Sequence, residues 1–297
     1  MRFEKWQALG NDYLIVERDE LPFELTAVRV RRLCDGHFGP GADGVLLLSA
    51  AEHPEHVADL RIFNPDGSEA ELSGNGAREA IMYLRRQEWI DKNEFAIGTA
   101  AGEIRPTITG PDTCMVDMGR ASLTSKDFPG GPEDGRDGVM AAGQIWAFRH
   151  VSIGNPQCAI HVDSEVTLAG LDLGVIGREI EGDRRFPNRT NVSWYTEVDA
   201  GRPGHIRARI YERGVGETLS SGTGATGAAV AHVLEYNPQG NAPSWPAEVT
   251  VVLDGGELEV EVGKDLHVNL TGWARPVYEG RLSDELVKEL EELDETE

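Results

Sequence analysis

Two serines stand in the same local pattern. Ser73 precedes Gly74-Asn75-Gly76-Ala77, and Ser221 precedes Gly222-Thr223-Gly224-Ala225. A Gly-x-Gly that opens a helix leaves the first backbone N–H groups unobstructed, and the aligned peptide dipoles add partial positive charge there. Such an end binds a carboxylate or phosphate, and it stabilises an anion forming on the side chain just before it. Either serine alone reads as a plain N-cap. Two copies, each with further polar residues near it, read as paired half-sites for an acidic substrate.

The elements that must position these serines are duplicated with them. Sliding RIFNPDGSEAELSGNGAREA (residues 61–80) onto RIYERGVGETLSSGTGATGA (residues 209–228) gives eight identities in twenty positions at an offset of 148 residues. Arg61, Ile62, Glu69 and Ala80 recur as Arg209, Ile210, Glu217 and Ala228, around the shared Ser-Gly-x-Gly-Ala. Gly10-Asn11 recurs as Gly154-Asn155, Gly102-Glu103 as Gly256-Glu257, and VDMG from residue 116 as VNLTG from residue 268. A fixed order of repeated segments signals an internal duplication. It predicts one active site built where the two halves face each other.

Within each half, VADLRIF (57–63) and HIRARIY (205–211) are alternating or β-branched runs that predict strands entering the half-sites. Helices follow the glycines. Ala77, Ile81 and Leu84 recur at helical spacing from Gly74, and the run ATGAAVAHVL after Gly224 is small and apolar on all sides, as in a helix wrapped by a sheet. Each half reads as strand, short helix, strands, central helix, hairpins. KDFPGGPEDGRDG (126–138) reads as an exposed linker or hairpin loop near the boundary, and YNPQGNAPSWP (236–246) as a surface loop. The lobes are expected at 1–122 joined by 273–297, and at 123–272. The last segment, SDELVKELEELDETE, predicts an amphipathic helix capped by Ser283 and packed through Leu286, Leu290 and Leu293.

A chain of 297 residues, 40% hydrophobic, has material for two cores. Its 51 acidic against 28 basic residues give a net charge of -23, which repels phosphate backbones and anionic lipid, so neither nucleic acid nor membrane is an expected partner. Cys34, Cys114 and Cys158 are odd in number, widely spaced and outside any C-x-x-C, which fits a reduced cytoplasm and no disulfide framework. The start of the chain, MRFEKWQALGND, predicts no secretory leader, and no apolar run of about eighteen residues occurs. Gly222, Gly224 and Gly227 match G-x-G-x-x-G, but without the early strand-turn-helix unit and the following acidic residue that dinucleotide binding needs. Walker A, H-E-x-x-H, EF-hand and nucleophile-elbow patterns are absent, so no metal or nucleotide site is expected, and the eight histidines are scattered.

GND (10–12), ADG (42–44), FNPDGSEAELSGNGAR (63–78), GNPQC (154–158), TNV (190–192) and ERGVGETLSSGTGA (212–225) together resemble the diaminopimelate epimerase family. The resemblance implies an α+β fold of two pseudo-symmetric lobes, each a curled mixed or antiparallel sheet around a central helix, with the active site in the cleft. It implies a cofactor-independent, PLP-independent isomerase of lysine biosynthesis, interconverting L,L- and meso-diaminopimelate by two-base proton transfer at Cα. It also implies a homodimer whose partner molecule is a small amino-acid substrate.

By the same resemblance, Gly74, Asn75, Gly222 and Thr223 hold the α-carboxylate. Asn11, Asn64, Asn155, Asn191 and Arg213 read the far end, with Arg213 suited to a bidentate grip on the distal carboxylate. Glu212 supports the reacting centre. Ser73 and Ser221 stand where the family has its two proton-transferring cysteines, and Gln157 where it has histidine. A thiol, with an ordinary pKa of about 8.5, is far more acidic than a serine hydroxyl. The departures leave two other readings open: a racemase or dehydratase for another amino acid, and a non-catalytic amino-acid-binding protein. Cys158, beside Gln157, is expected as a small buried side chain rather than a base.

Overall fold

The structure is a computed structural model that describes residues 1–198, 204–235 and 245–293, so most of the loop expected over 236–246 lies outside the described residues. The chain divides into two compact units, Met1–Val116 with Gly272–Glu297, and Asp117–Thr271.

The first unit opens with β1 (Arg2–Ala8), β2 (Asn11–Glu17), α1 (Ala27–Cys34), β3 (Val45–Ala50), β4 (Ala58–Phe63) and β5 (Glu69–Ala70). Its central helix is α2 (Gly74–Arg86), followed by β6 (Ile97–Thr99), β7 (Gly102–Ile104), β8 (Thr107–Ile108) and β9 (Thr113–Arg120), along which the chain passes into the second unit. The second unit runs through β10 (Arg136–Ala141), β11 (Gln144–Ser152), β12 (Pro156–His161), α3 (Glu165–Ala169), α4 (Leu173–Glu181), β13 (Asn191–Glu197), β14 (His205–Glu212) and β15 (Gly216–Thr218). Its central helix is α5 (Gly222–Glu235), then β16 (Ala247–Leu253), β17 (Gly256–Val262) and β18 (His267–Trp273). The chain returns to the first unit as β19 (Arg275–Arg281) and α6 (Asp284–Glu292).

The two sheets share one pairing pattern. In the first, β1 pairs antiparallel with β2, β2 parallel with β3, β3 antiparallel with β4, β4 parallel with β6, and β6 antiparallel with β7. In the second, β11, β12, β13, β14, β16 and β17 repeat that sequence of orientations. The parallel pairs require crossovers, and the central helix supplies one in each unit. The sequence repeat reappears as chemistry: Arg61 grips Glu69 across β4 and β5 with N–O distances of 2.9 and 2.8 Å, and Arg209 reaches Glu217 across β14 and β15 at 2.9 Å. Gly10 and Gly154, at equivalent turns, both adopt positive φ, 85° and 83°, where a Cβ would be strained.

Helix α5 is buried along almost its whole length by β11 to β14, β16 and β17, as its uniformly small, apolar sequence requires. Helix α2 is buried well beyond the apolar positions Ala77, Ile81 and Leu84. Every residue from Asn75 to Leu84 is buried, including Arg78 and Glu79 at 0% exposure. The segment 126–138 leads into the β10–β11 hairpin and is anchored by Phe128, which stacks on Phe186 at 5.4 Å and meets Phe148 edge-on at 5.6 Å in the core of the second unit. Burying such a ring contributes about 1.5–3 kcal/mol, enough to anchor a loop otherwise made of Gly, Pro and charge. Ser283 caps α6 by accepting the Leu286 N–H, and Leu286, Leu290 and Leu293 pack on the core of the first unit.

Candidate active site

In the first unit, β5 runs through a short turn into α2, which leaves Ser73 extended (φ -128°, ψ 123°) at the N-cap. Its Oγ accepts the Gly76 N–H at 3.1 Å and a hydrogen bond from the Tyr13 hydroxyl at 3.3 Å. Behind it, polar groups form a chain. The buried Arg78 guanidinium donates to Gly74 O at 3.1 Å and to Asn75 Oδ1 at 2.7 Å, Asn75 Nδ2 donates to Asn11 Oδ1 at 3.1 Å, and Asn11 Nδ2 donates to Asp43 Oδ2 at 2.9 Å. Asn11 and Asn75, far apart in sequence, are thereby brought together. Asn64, just past the end of β4, donates instead to Ser68 Oγ at 2.9 Å within its own turn.

The second unit repeats the arrangement with different side chains. Ser221 Oγ accepts the Gly224 N–H at 3.2 Å, and the Glu212 carboxyl at the end of β14 is close enough to feel its hydroxyl. Burial pushes the Glu212 carboxyl above its usual range, and the Ser221 hydroxyl partly offsets that. Asn155 Nδ2 donates to Thr223 Oγ1 at 3.2 Å, and Gln157 Nε2 donates to Asn155 Oδ1 at 2.6 Å. Gln157 has 0% exposure and lies against Gly227 of α5, where an added Cβ would stand 2.7 Å from Gln157 Cβ. The glycines that imitate a dinucleotide fingerprint therefore serve packing: Gly224 closes on Ile210, and Gly227 on Gln157. The Arg213 side chain is exposed, while its backbone N–H is fixed by the buried Asn191 Oδ1 at 2.8 Å and its Nη1 by Asn188 O at 3.0 Å.

Cys158 points to the other face of β12, into a core with Trp194 and Ile160, and burial pushes its thiol well above its ordinary pKa. It is a packed side chain, not a base. Tyr13, Arg78 and Asp43 carry site geometry that the sequence reading did not assign. One signal pointed to Tyr13, since the repeat that pairs Asn11 with Asn155 also pairs Tyr13 with Gln157. Chemically, each half-site offers helix N–H groups for a carboxylate and a hydroxyl with a titratable partner. Among the described residues no group of His, Cys, Asp and Glu is arranged to hold a metal ion, and no helix is long and apolar enough to cross a membrane.

A sequence profile described as diaminopimelate epimerase matches residues 3–124 and 149–277. Diaminopimelate epimerase 2 of Nostoc sp. is 37% identical over 291 residues, covering 96% of this chain and 97% of that protein. The diaminopimelate epimerase of Azoarcus sp. is 37% identical over 288 residues, covering 95% of this chain and 98% of its own length. Among solved structures, a phenazine biosynthesis protein of the PhzF family from Bacillus anthracis superposes with a TM-score of 0.67 at 18% identity, covering 95% of this chain and 99% of that one. A probable proline racemase from Agrobacterium radiobacter gives 0.64 at 14% identity, over 95% of this chain and 93% of that one. These two likenesses establish the fold, in which each sheet curls around a central helix. With a profile match and relatives above one-third identity along nearly its whole length, the chain belongs to the diaminopimelate epimerase family, a family of isomerases.

Proposed function

We propose that this isomerase interconverts L,L- and meso-diaminopimelate, without pyridoxal phosphate or any other cofactor, in the cytoplasmic synthesis of lysine. The observation that carries the reading is the doubled serine. Ser73 and Ser221 occupy equivalent N-caps, each with Oγ on the third N–H of its helix and each with a second, titratable partner. In this reading both half-sites serve one Cα, one removing the α-proton and the other returning it to the opposite face. Gly74, Asn75, Gly222 and Thr223 at the helix ends hold the α-carboxylate and spread the charge of the carbanion. Asn11, Asn64, Asn155, Asn191 and Arg213 read the distal amino acid centre, and Gln157 orients Asn155. A homodimer is part of the proposal, supported by the edge position of β19 with Val277 and Tyr278 exposed on it.

The test is exchange of the α-hydrogen of diaminopimelate with deuterated solvent, followed by mass. Incorporation with conversion of L,L to meso is expected, and no incorporation at high protein concentration overturns the assignment. Parallel incubation with other amino acids separates a racemase of different preference. Tight binding of diaminopimelate without exchange marks a binding protein.

A further inference from the structure

The two half-sites differ in what their serines can do with a proton. At Ser221, Oγ accepts the Gly224 N–H, and the neighbouring polar group is the Glu212 carboxyl. A carboxylate there can take the hydroxyl proton, which sets the oxygen to act as a base. At Ser73 both incoming bonds are donations: the Gly76 N–H at 3.1 Å and the Tyr13 hydroxyl at 3.3 Å fill the two acceptor positions of Oγ. The Ser73 proton is therefore directed away from both, and the oxygen is set to act as an acid.

Tyr13 is held for this contact. It lies on β2, 5% exposed, and a Cβ on Gly44 would stand 2.5 Å from its Cε1, so the ring's path to Ser73 is open only because residue 44 is glycine. A phenol, with an ordinary pKa of about 10, is a much stronger acid than an aliphatic hydroxyl, and so it can resupply a proton that serine alone gives up poorly.

We propose that Tyr13 is a positioning residue and the proton partner of Ser73, making the first half-site a phenol-to-hydroxyl relay opposite in polarity to the carboxylate-backed Ser221. The inference rests on the proposed epimerase reading. In the forward stroke, the Ser221 proton passes to the Glu212 carboxylate as Ser221 Oγ takes the substrate α-proton, leaving the electron pair on Cα. The Ser73 O–H bond then breaks toward the other face of Cα while the Tyr13 proton moves to Ser73 Oγ, leaving tyrosinate and a neutral Glu212. The reverse stroke returns both protons, and exchange with water resets either state.

Two measurements test the relay, one of them without substrate. The thiol introduced by Ser73→Cys is titrated by its rate of alkylation with iodoacetamide against pH, alone and combined with Tyr13→Phe. Donation by the phenol stabilises the thiolate, so Tyr13→Phe is expected to raise the thiol's pKa by about one unit, and an unchanged alkylation profile refutes the coupling. In deuterated solvent, Tyr13→Phe is expected to slow α-hydrogen exchange at least tenfold. Tyr13→Phe is expected to slow Ser73→Cys far less than it slows the parent, because a thiol depends much less on a phenol behind it. Phenylalanine keeps the packing on Gly44, so a purely structural tyrosine would leave exchange within twofold of the parent, which overturns the relay. If the parent does not act on diaminopimelate at all, the functional reading fails while the thiol titration still decides the role of Tyr13.

Discussion

The buried Arg78 guanidinium donates to Asn75 Oδ1 at 2.7 Å, and through that bond a residue that is fully enclosed sets the rotamer of one that is expected to meet substrate. Asn75 in turn orients Asn11, so the first half-site is aligned from inside the helix that caps it.

Arg78→Met therefore removes the Arg78 bond from Asn75 Oδ1 and the neighbouring positive charge from Glu79 in the core. We expect a loss of about 1–3 kcal/mol in urea unfolding, from the buried hydrogen bonds and charge partner lost. We also expect a rise in KM larger than the fall in kcat, since the reacting groups themselves are untouched. An unchanged KM in a folded variant counts against the alignment role.

Replacing both serines, Ser73→Cys with Ser221→Cys, keeps the N-cap geometry and lowers the cost of ionising the proton carriers. Each pKa unit gained is worth about 1.4 kcal/mol, so α-hydrogen exchange at neutral pH is expected to rise more than tenfold. A double variant that gains nothing, from a parent that binds diaminopimelate tightly, shows that binding is what this scaffold performs.

Glu212 links activity to stability through pH. Burial raises its folded-state pKa above the unfolded value, so the folded protein holds this proton more tightly. The stability it contributes is complete below the unfolded carboxyl pKa and is lost as pH rises through the raised folded one. Glu212→Gln removes that loss. The variant is expected to lie closer to the parent in acid and to exceed it at neutral pH in thermal unfolding, while exchange falls by roughly 100-fold or more with the base gone. Equal pH dependence of the two proteins contradicts the buried-carboxyl account.

Gly227→Ala places a methyl 2.7 Å from Gln157 Cβ and 2.9 Å from its Cγ. Helix α5 or strand β12 must give, at a cost of about 1–3 kcal/mol in thermal or urea unfolding. Because Gln157 holds Asn155, which holds Thr223, the same change is expected to weaken substrate binding. Gly143→Ala, at an open turn, is the control for adding a methyl without a clash, its remaining cost being the strain of its φ of 78°.

Much of this was legible along the chain because it depends on near neighbours. A serine before Gly-x-Gly caps a helix through the N–H three residues on, whatever surrounds it, and both copies do so. Duplication was equally plain, since Arg61 with Glu69 and Arg209 with Glu217, each pair eight positions apart, meet across short hairpins. Tertiary structure alone decided the rest. Tyr13 and Ser73 are 60 residues apart and meet only because β2 runs beside the start of α2. The burial of Arg78 and Glu79 was not legible from the spacing of Ala77, Ile81 and Leu84, because a sheet that curls around a helix buries every side of it. Which group folds against each serine was likewise invisible in two identical motifs. Acidity at a site is fixed by the groups that fold against it, here a phenol from β2 and a carboxyl from β14.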